Sequence, residues 1–529
     1  MSSARLRVVR SASALFERCL MAEAPATAKR WAARRAASAE SLTYSAVFLV
    51  AFALRVLVPF TGVGLVGNYS YDSGVYYAAG AALVRGRVPY RDFILLHPPG
   101  VALATAPAAW IGRVTNDHVG YAFVSLEFIA FGAASAVLVV VAARRLGAPR
   151  WAATTGGLFY AGWFLSVRAE YVSRLEPLGN LLLLCGLVAY TGVGRPRSAR
   201  SALACGAALG AAASVKVWYA VPLAVVVCFL VARHRTRDAG AAIAGAIGAV
   251  AAICGAFFAL APTAMWRMVV SEQIGRQQAN ALRALLVLNG LPKGVTWQAA
   301  YLLDAVLVVL GVLLALAAWR TPTARLPAVL LVACGGVLVA APSFFAYYTD
   351  YLTPAAALCI ATGAASVACK RGRSGRVPLV AGTLAIALLL IVPAKALWYQ
   401  TGATSASRSP GQLASAVSNA ECVMSDSPMA LIQLNVLDRT LADGCPDWVD
   451  VTGRTYAPDM SLRGRGGSRV ARAANTKWQR AVRDYLLSGN AVVVLRPRDA
   501  GISPSTLGDI AAGGVLATDG VHTIYRVSP

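Results

Sequence analysis

The chain has 529 residues, 57% of them hydrophobic and only 14% charged. Soluble domains carry about 25% charged residues, so this composition excludes an ordinary water-soluble protein; apolar runs near 20 residues, each long enough to cross a bilayer core of about 30 Å, recur through roughly the first 400 positions. The net charge of +25, from 49 Lys+Arg against 24 Asp+Glu, sits in short clusters between those runs, which is the footprint of cytoplasmic loops and excludes a continuous nucleic-acid-binding face.

Residues 1–42 form a basic tail with no apolar core, so the segment is not a secretory signal peptide. It is expected to stay in the cytoplasm, ahead of an uncleaved first span, and to touch anionic lipid. Spans are expected at about 43–61, 118–143, 151–167, 177–191, 201–215, 217–232, 239–261, 298–318, 326–342, 349–368 and 377–397. Basic clusters such as Arg144–Arg145, Arg195–Arg200, Arg233–Arg237 and Lys370–Arg376 follow alternate spans. With the tail inside, parity requires that the short apolar stretch 98–112 does not cross. It opens His97-Pro98-Pro99-Gly100 and reads as a juxtamembrane or re-entrant helix packed against protein. About eleven crossings then place the C-terminus outside, with the outer loop 62–117, segments 168–176 and 262–297, and everything from 398 onward.

Residues 398–529 change character. They are richer in Asp, Ser, Thr and Asn, with strand-like runs at Ala491–Leu495 and Thr523–Val527 and a helical run at Lys477–Leu487. The expectation is a small extracytoplasmic α/β domain after a membrane domain at 43–397. Arg463–Gly467, with three glycines in five residues, reads as a loop. Of ten cysteines, six lie inside apolar runs and read as packing residues. Cys422 and Cys445 lie in the polar C-terminal region, where an oxidising compartment would allow a disulfide or leave two thiols. No cysteine pair has zinc-ligand spacing.

Ionisable residues at or near membrane depth are costly and therefore candidates for function. The outer loop carries Tyr71-Asp72, then Gly86-Arg87-Val88-Pro89-Tyr90-Arg91-Asp92, then His97. An acid just past the first span can act as a base at the membrane surface, or simply cap a helix in a solvated loop. Segment 168–176 holds Arg168, Glu170, Arg174 and Glu176, either a surface ion-pair network or a cleft wall. Lys216 lies where the chain turns between two short apolar runs, a site for snorkelling or for phosphate. Trp266 to Leu286, with Arg267, Gln273, Arg276 and Arg283, reads as an amphipathic interfacial helix able to hold lipid headgroups. The run Pro342–Pro354 sets Tyr347, Tyr348 and Asp350 at a span end. Aromatics there form interfacial belts, although a belt does not need Asp350.

Taken in order, these segments resemble the GT-C glycosyltransferase superfamily, and especially bacterial polyprenyl-phosphate mannosyltransferases and aminoarabinose transferases. The resemblance covers about residues 43–400. It rests on the acid after the first span (Asp72), the Gly86–Tyr90 stretch, the His97–Pro99 element, Gln273–Arg276 and the Pro342–Tyr351 run. It departs from the family's pattern at Ser73, where many relatives have Glu, and at Tyr347, where His is frequent. What the resemblance implies is an all-α polytopic membrane protein with an active site on the extracytoplasmic face of a bacterial plasma membrane. There a sugar, mannose or an arabinose among the candidates, passes with inversion from a polyprenyl-phosphate donor to a glycan, glycolipid or protein acceptor of the cell envelope. It implies Asp72 as general base with Asp92 as the second choice. Arg91, His97, Lys216 and Arg276 would serve the donor phosphate, and Tyr71, Glu170, Arg174 and Tyr348 the acceptor or the cleft. No cofactor is required, and a divalent cation is left open. A transporter or lipid flippase is the rival class, and a non-catalytic assembly protein a third. Transporters show paired halves with broken helices, whereas this chain shows no repeat and gathers its acids toward one face.

Overall fold

The computed structural model describes residues 26–60, 64–67, 70–191, 198–274, 297–322, 324–341, 345–371, 410–460, 462 and 470–527. The expected span 377–397, the loop Arg463–Gly467 and Arg276 lie outside the described residues.

The first helix, α1, runs Ala26–Phe60 and so begins well before the apolar run. Residues 26–42 are mostly Ala, Arg, Lys, Glu and Ser with no Gly or Pro, so helix propensity carries the helix backward from its apolar segment into the basic tail. Beyond it come α2 (Tyr71–Val84), α3 (Gly100–Val114) and α4 (Asp117–Arg145). The Asn116 side chain accepts from the Val119 N–H, Asp117 lies in the first turn, and Arg144 and Arg145 close the last. Cap and charges both complement the helix dipole. The bundle continues with α5 (Arg150–Gly162), α6 (Phe164–Glu170), α7 (Leu175–Tyr190), α8 (Ala199–Ala213), α9 (Ala220–Val231) and α10 (Thr236–Leu260). It ends with α11 (Trp297–Trp319), α12 (Arg325–Ala340) and α13 (Thr353–Arg371).

Among the described residues, three helical segments are both long and apolar enough to cross a bilayer: Ser38–Phe60, Asp117–Arg145 and Thr236–Leu260. A fourth counts if α6 and α7, bent by 108° about their short break, make one broken span. Several other expected spans coincide with shorter helices: α5 has 13 residues, and at 1.5 Å each these rise roughly 20 Å against a core of about 30 Å. The figure of about eleven full crossings is therefore not reached among the described residues. Close packing of the bundle depends on small residues. A Cβ on Gly206 or Gly210 of α8 would strike the Ala242 or Ala246 carbonyl of α10, the small-xxx-small contact that lets membrane helices touch along their backbones. Large apolar side chains such as Ile247, 64% exposed, face outward, as a lipid-facing surface requires.

The stretch 98–112 is helical as expected, forming α3 against α2. Thr105 of α3 donates to the Tyr76 carbonyl at 2.8 Å. The outward face of α3 presents Leu103, Trp110 and Val114.

Residues 410–527 contain a four-stranded sheet of order β1-β2-β4-β3, with β1 Val423–Ser425, β2 Ala491–Val494, β3 Val515–Thr518 and β4 Thr523–Arg526. β1 pairs parallel with β2, and the other pairs are antiparallel. The strands expected near 491 and 523 and the helix expected near 477 are present, the last as Thr476–Leu486. Cys422 and Cys445 are disulfide-bonded, with Cα atoms 5.7 Å apart. The core of this α/β unit is not separate: one apolar cluster joins Tyr77, Leu95 and Val101 of the outer-loop region to Met429, Trp478 and Val492. A second cluster, including Val47, Tyr160, Leu184 and Leu330, lies inside the bundle.

Candidate active site

Asp72 sits in the first turn of α2, half-buried. A carboxylate there is favoured by the unpaired N–H groups and the positive end of the helix. The Tyr347 phenol donates a hydrogen bond to Asp72 Oδ2. Tyr347 belongs to the seven-residue 3-10 segment Ala346–Leu352 that precedes α13. Over its ring lies the Arg174 guanidinium, 4.1 Å from the centroid. Arg174 occupies the break between α6 and α7, where it donates to the Arg168 carbonyl at 3.0 Å. Its buried Nε has no hydrogen-bond partner among the described residues. An unsatisfied buried donor of a permanent cation is costly to leave unfilled, so this nitrogen is suited to an oxyanion.

Tyr348 continues the constellation. Its ring meets that of Tyr347 edge-on at 4.9 Å. On the Tyr348 ring, and equally on the Trp218 ring, sits the Lys216 ammonium, 3.8 Å from each centroid. Lys216 also donates to Glu176 Oε1 at 2.6 Å, and both side chains are almost fully buried. Lys216 is thus neither snorkelling to water nor bare toward a phosphate. It is held by an acid and two aromatic faces, a desolvated setting in which cation–π attraction is strongest. Asp72, Arg174, Tyr347, Tyr348, Lys216 and Glu176 lie in one continuous group drawn from α2, the α6–α7 break, the start of α7, the turn before α9 and the segment before α13.

Glu170 is placed elsewhere. It is completely buried in an ion pair with Arg55 of α1, whose Nε donates to Glu170 Oε2 at 2.6 Å. Tyr160 donates to the other oxygen at 2.6 Å. Gly132 of α4 makes the room: a Cβ there would collide with both partners. From Tyr160 the bonds continue to the Asn180 amide at 3.3 Å, from Asn180 to Asp350 Oδ2 at 3.0 Å, and from the Tyr219 phenol to Asn180 Oδ1 at 2.8 Å. This chain of polar groups is sealed inside the helices, so Glu170 does not line a cleft as the sequence led one to expect.

The remaining expected residues are dispersed. Arg91 and Asp92 pair with each other at 2.8 Å in an exposed turn, where Asp92 also accepts from the Val88 N–H at 2.7 Å. The Arg91 hydrogen bond holds the Asp92 carboxyl down to about 2, which makes it a poor base. His97 is half-buried, its ring edge-on to Tyr76 at 5.9 Å. Tyr71 points to the α/β unit, donating to Asp450 Oδ1 at 2.8 Å. Arg55, Asn180 and Asp450 escaped the sequence reading as site or network members, whereas Glu176 had been read with Arg174 as part of an ion-pair network or cleft wall. Arg55 carried a signal, since an arginine within an apolar span demands a partner. Among the described residues, no group of three or more His, Cys, Asp or Glu could hold a metal ion.

No protein-family model and no curated protein matches this chain. Among solved structures it is similar to ArnT from Cupriavidus metallidurans bound to undecaprenyl phosphate, with a TM-score of 0.59, 15% identity, and 92% of this chain and 98% of that chain covered. It is also similar to the apo state of the same protein, with a TM-score of 0.53, 16% identity, and 93% and 98% covered. At this identity the likeness shows the fold. That fold is matched over nearly the whole of both chains.

Proposed function

We propose that the chain is a membrane glycosyltransferase that moves a sugar from a polyprenyl-phosphate donor to an extracytoplasmic acceptor. The observation that carries this reading is the convergence of Asp72, Arg174 and Lys216 on the Tyr347–Tyr348 pair, within a GT-C fold. ArnT in this fold was crystallised with undecaprenyl phosphate, the product such a donor leaves behind, and that supports a lipid-linked phosphate here.

In the proposed step an acceptor hydroxyl attacks the anomeric carbon from the face opposite the phosphate. The carbon–oxygen bond to phosphate breaks, and its electron pair departs on the polyprenyl phosphate. Asp72 takes the hydroxyl proton. Arg174 offers its open Nε to the leaving phosphate, and Lys216, neutralised by Glu176, braces Tyr348 and the aromatic pair behind it. Fixed positive groups in a water-poor site stabilise developing negative charge without reorganising. His97 borders this region through Tyr76, and Arg276 remains a second candidate for the phosphate. The active site would face the periplasm or its equivalent, and the acceptor would be a glycan, glycolipid or protein of the envelope.

The test is direct. Full-length protein in lipid nanodiscs is incubated with radiolabelled polyprenyl-phosphate mannose or arabinose and a membrane extract as acceptor. Labelled product together with free polyprenyl phosphate supports the reading. Uptake of intact donor across a vesicle, with no cleavage of either donor, sinks it in favour of a transporter.

A further inference from the structure

Tyr71, the residue immediately before Asp72, is bound entirely by the α/β unit. Its phenol donates to Asp450 Oδ1 at 2.8 Å and accepts from the Thr452 N–H at 2.8 Å. The Arg496 guanidinium lies 4.6 Å from its ring centroid. Asp450 is itself a built acceptor: the same Oδ1 receives the Gly453 N–H at 2.7 Å, and only 9% of the residue is exposed.

Two further contacts hold α2 to the same unit. Gly74 lies so close to Met429, in the helix Pro428–Gln433, that an added Cβ would stand 2.8 Å from the Met429 nitrogen. Just beyond the other end of α2, Arg85 grips Asp438 with two nitrogens, the first at 3.0 Å. The unit therefore touches the first turn and the far end of one short helix. Successive helical residues point about 100° apart, so Tyr71 can face the unit while Asp72 faces Tyr347 in the bundle.

Resting on the assignment of Asp72 as base, we infer that the α/β unit is a clamp that positions this carboxylate, with Tyr71 and Asp450 as its positioning residues. Neither touches the reacting atoms. They set the azimuth and height of the first turn, and a shift of about 1 Å at a reacting group can cost on the order of a hundredfold in rate.

The experiment uses the full-length chain in nanodiscs with polyprenyl-phosphate mannose and arabinose as probes, following release of polyprenyl phosphate. Tyr71→Phe is expected to lower kcat about ten- to a hundredfold, with the donor KM within about twofold of the parent and thermal midpoint little changed. Asp450→Asn, which keeps an acceptor oxygen, retains most of the turnover that Asp450→Ala loses. Parent-like kcat in Tyr71→Phe, or losses in kcat that merely track a lower folded fraction, overturn the clamp. A dead Asp72→Asn beside a fully active Tyr71→Phe removes the clamp alone, whereas an active Asp72→Asn removes base and clamp together.

Discussion

Two regions of this molecule are built from the same chemistry and are finished differently. Inside the bundle, Arg55, Glu170, Tyr160, Asn180, Asp350 and Tyr219 run hand to hand in one hydrogen-bonded chain with its ion pair closed to solvent. At the outer end, Asp72 is half-buried under one tyrosine, and Arg174 keeps a buried nitrogen unfilled. Both regions keep an open bonding position, since Asp350 Oδ1 of the inner chain also lacks a partner among the described residues. What separates them is access: Asp72 is half-buried, whereas Glu170 and Asp350 are completely buried and serve to fix helices against one another. The difference teaches that a buried charge or an unfilled polar atom in a membrane fold does not by itself mark the reaction site; a ligand must also be able to reach it.

The largest expected effect breaks the open end. Asp72→Asn should reduce transfer by about a hundred- to ten-thousandfold, the usual contribution of a general base, with an unchanged thermal midpoint in the same preparation. Near-parental turnover would put the two regions on the same footing.

Next comes the sealed end. Glu170→Ala leaves Arg55 buried without its partner and should cost about 3–5 kcal/mol of stability, while replacing both by leucine should restore most of it. Melting curves in detergent measure this. A well-folded but inactive Glu170→Ala would mean that the sealed chain takes part in the chemistry after all.

A third carboxylate lies where the α/β unit meets the segment after α2. Asp447 reaches Arg87 at 3.9 Å, and burial, opposed by Arg87, pushes its carboxyl up to about 6 from 3.8. An acid raised on folding is penalised when ionised. Its contribution is therefore most favourable below about pH 4, where folded and unfolded states both hold the proton, and declines as pH rises from about 4 to about 6. About two units correspond to roughly 3 kcal/mol. The shifted value already includes the pull of Arg87, so Asp447→Asn is expected to gain up to about 3 kcal/mol at pH 7.5, fading by pH 4. A loss of stability at pH 7.5 would show that the Arg87 contact outweighs the desolvation of Asp447.

The smallest effect belongs to the exposed turn. Arg91→Ala and Asp92→Asn should each change stability by less than about 1 kcal/mol and turnover by no more than about twofold. A tenfold loss of turnover in either variant would return that turn to the site.

How much of this was readable beforehand depended on whether the signal was local. The apolar runs, the short α3 after His97-Pro98-Pro99 and the strands near 491 and 523 follow from composition and spacing along the chain, and they were legible. Asp72 and Arg174 were legible as candidates, because acids and cations beside apolar spans are conspicuous. Their roles were not. Glu170 and Arg174 sit four residues apart, yet the α6–α7 bend turns one inward to Arg55 and the other toward Tyr347. Tyr71 and Asp72 are adjacent, yet one faces the α/β unit and the other the bundle. Nothing in a list of residues distinguishes such neighbours, because the choice of partner is made by helices distant in sequence.

By itself, then, the amino-acid order determined that the chain is a membrane protein, where its apolar helices and its polar C-terminal α/β segment lie, and which few charged residues had to be accounted for. Those are consequences of transfer free energy and backbone hydrogen bonding, which act residue by residue. Tertiary structure alone decided which charges cancel each other and which stay available, and that Asp72 is gripped from both sides. Pairing energies depend on separations of a few ångströms between segments hundreds of residues apart, and only the folded chain sets those distances.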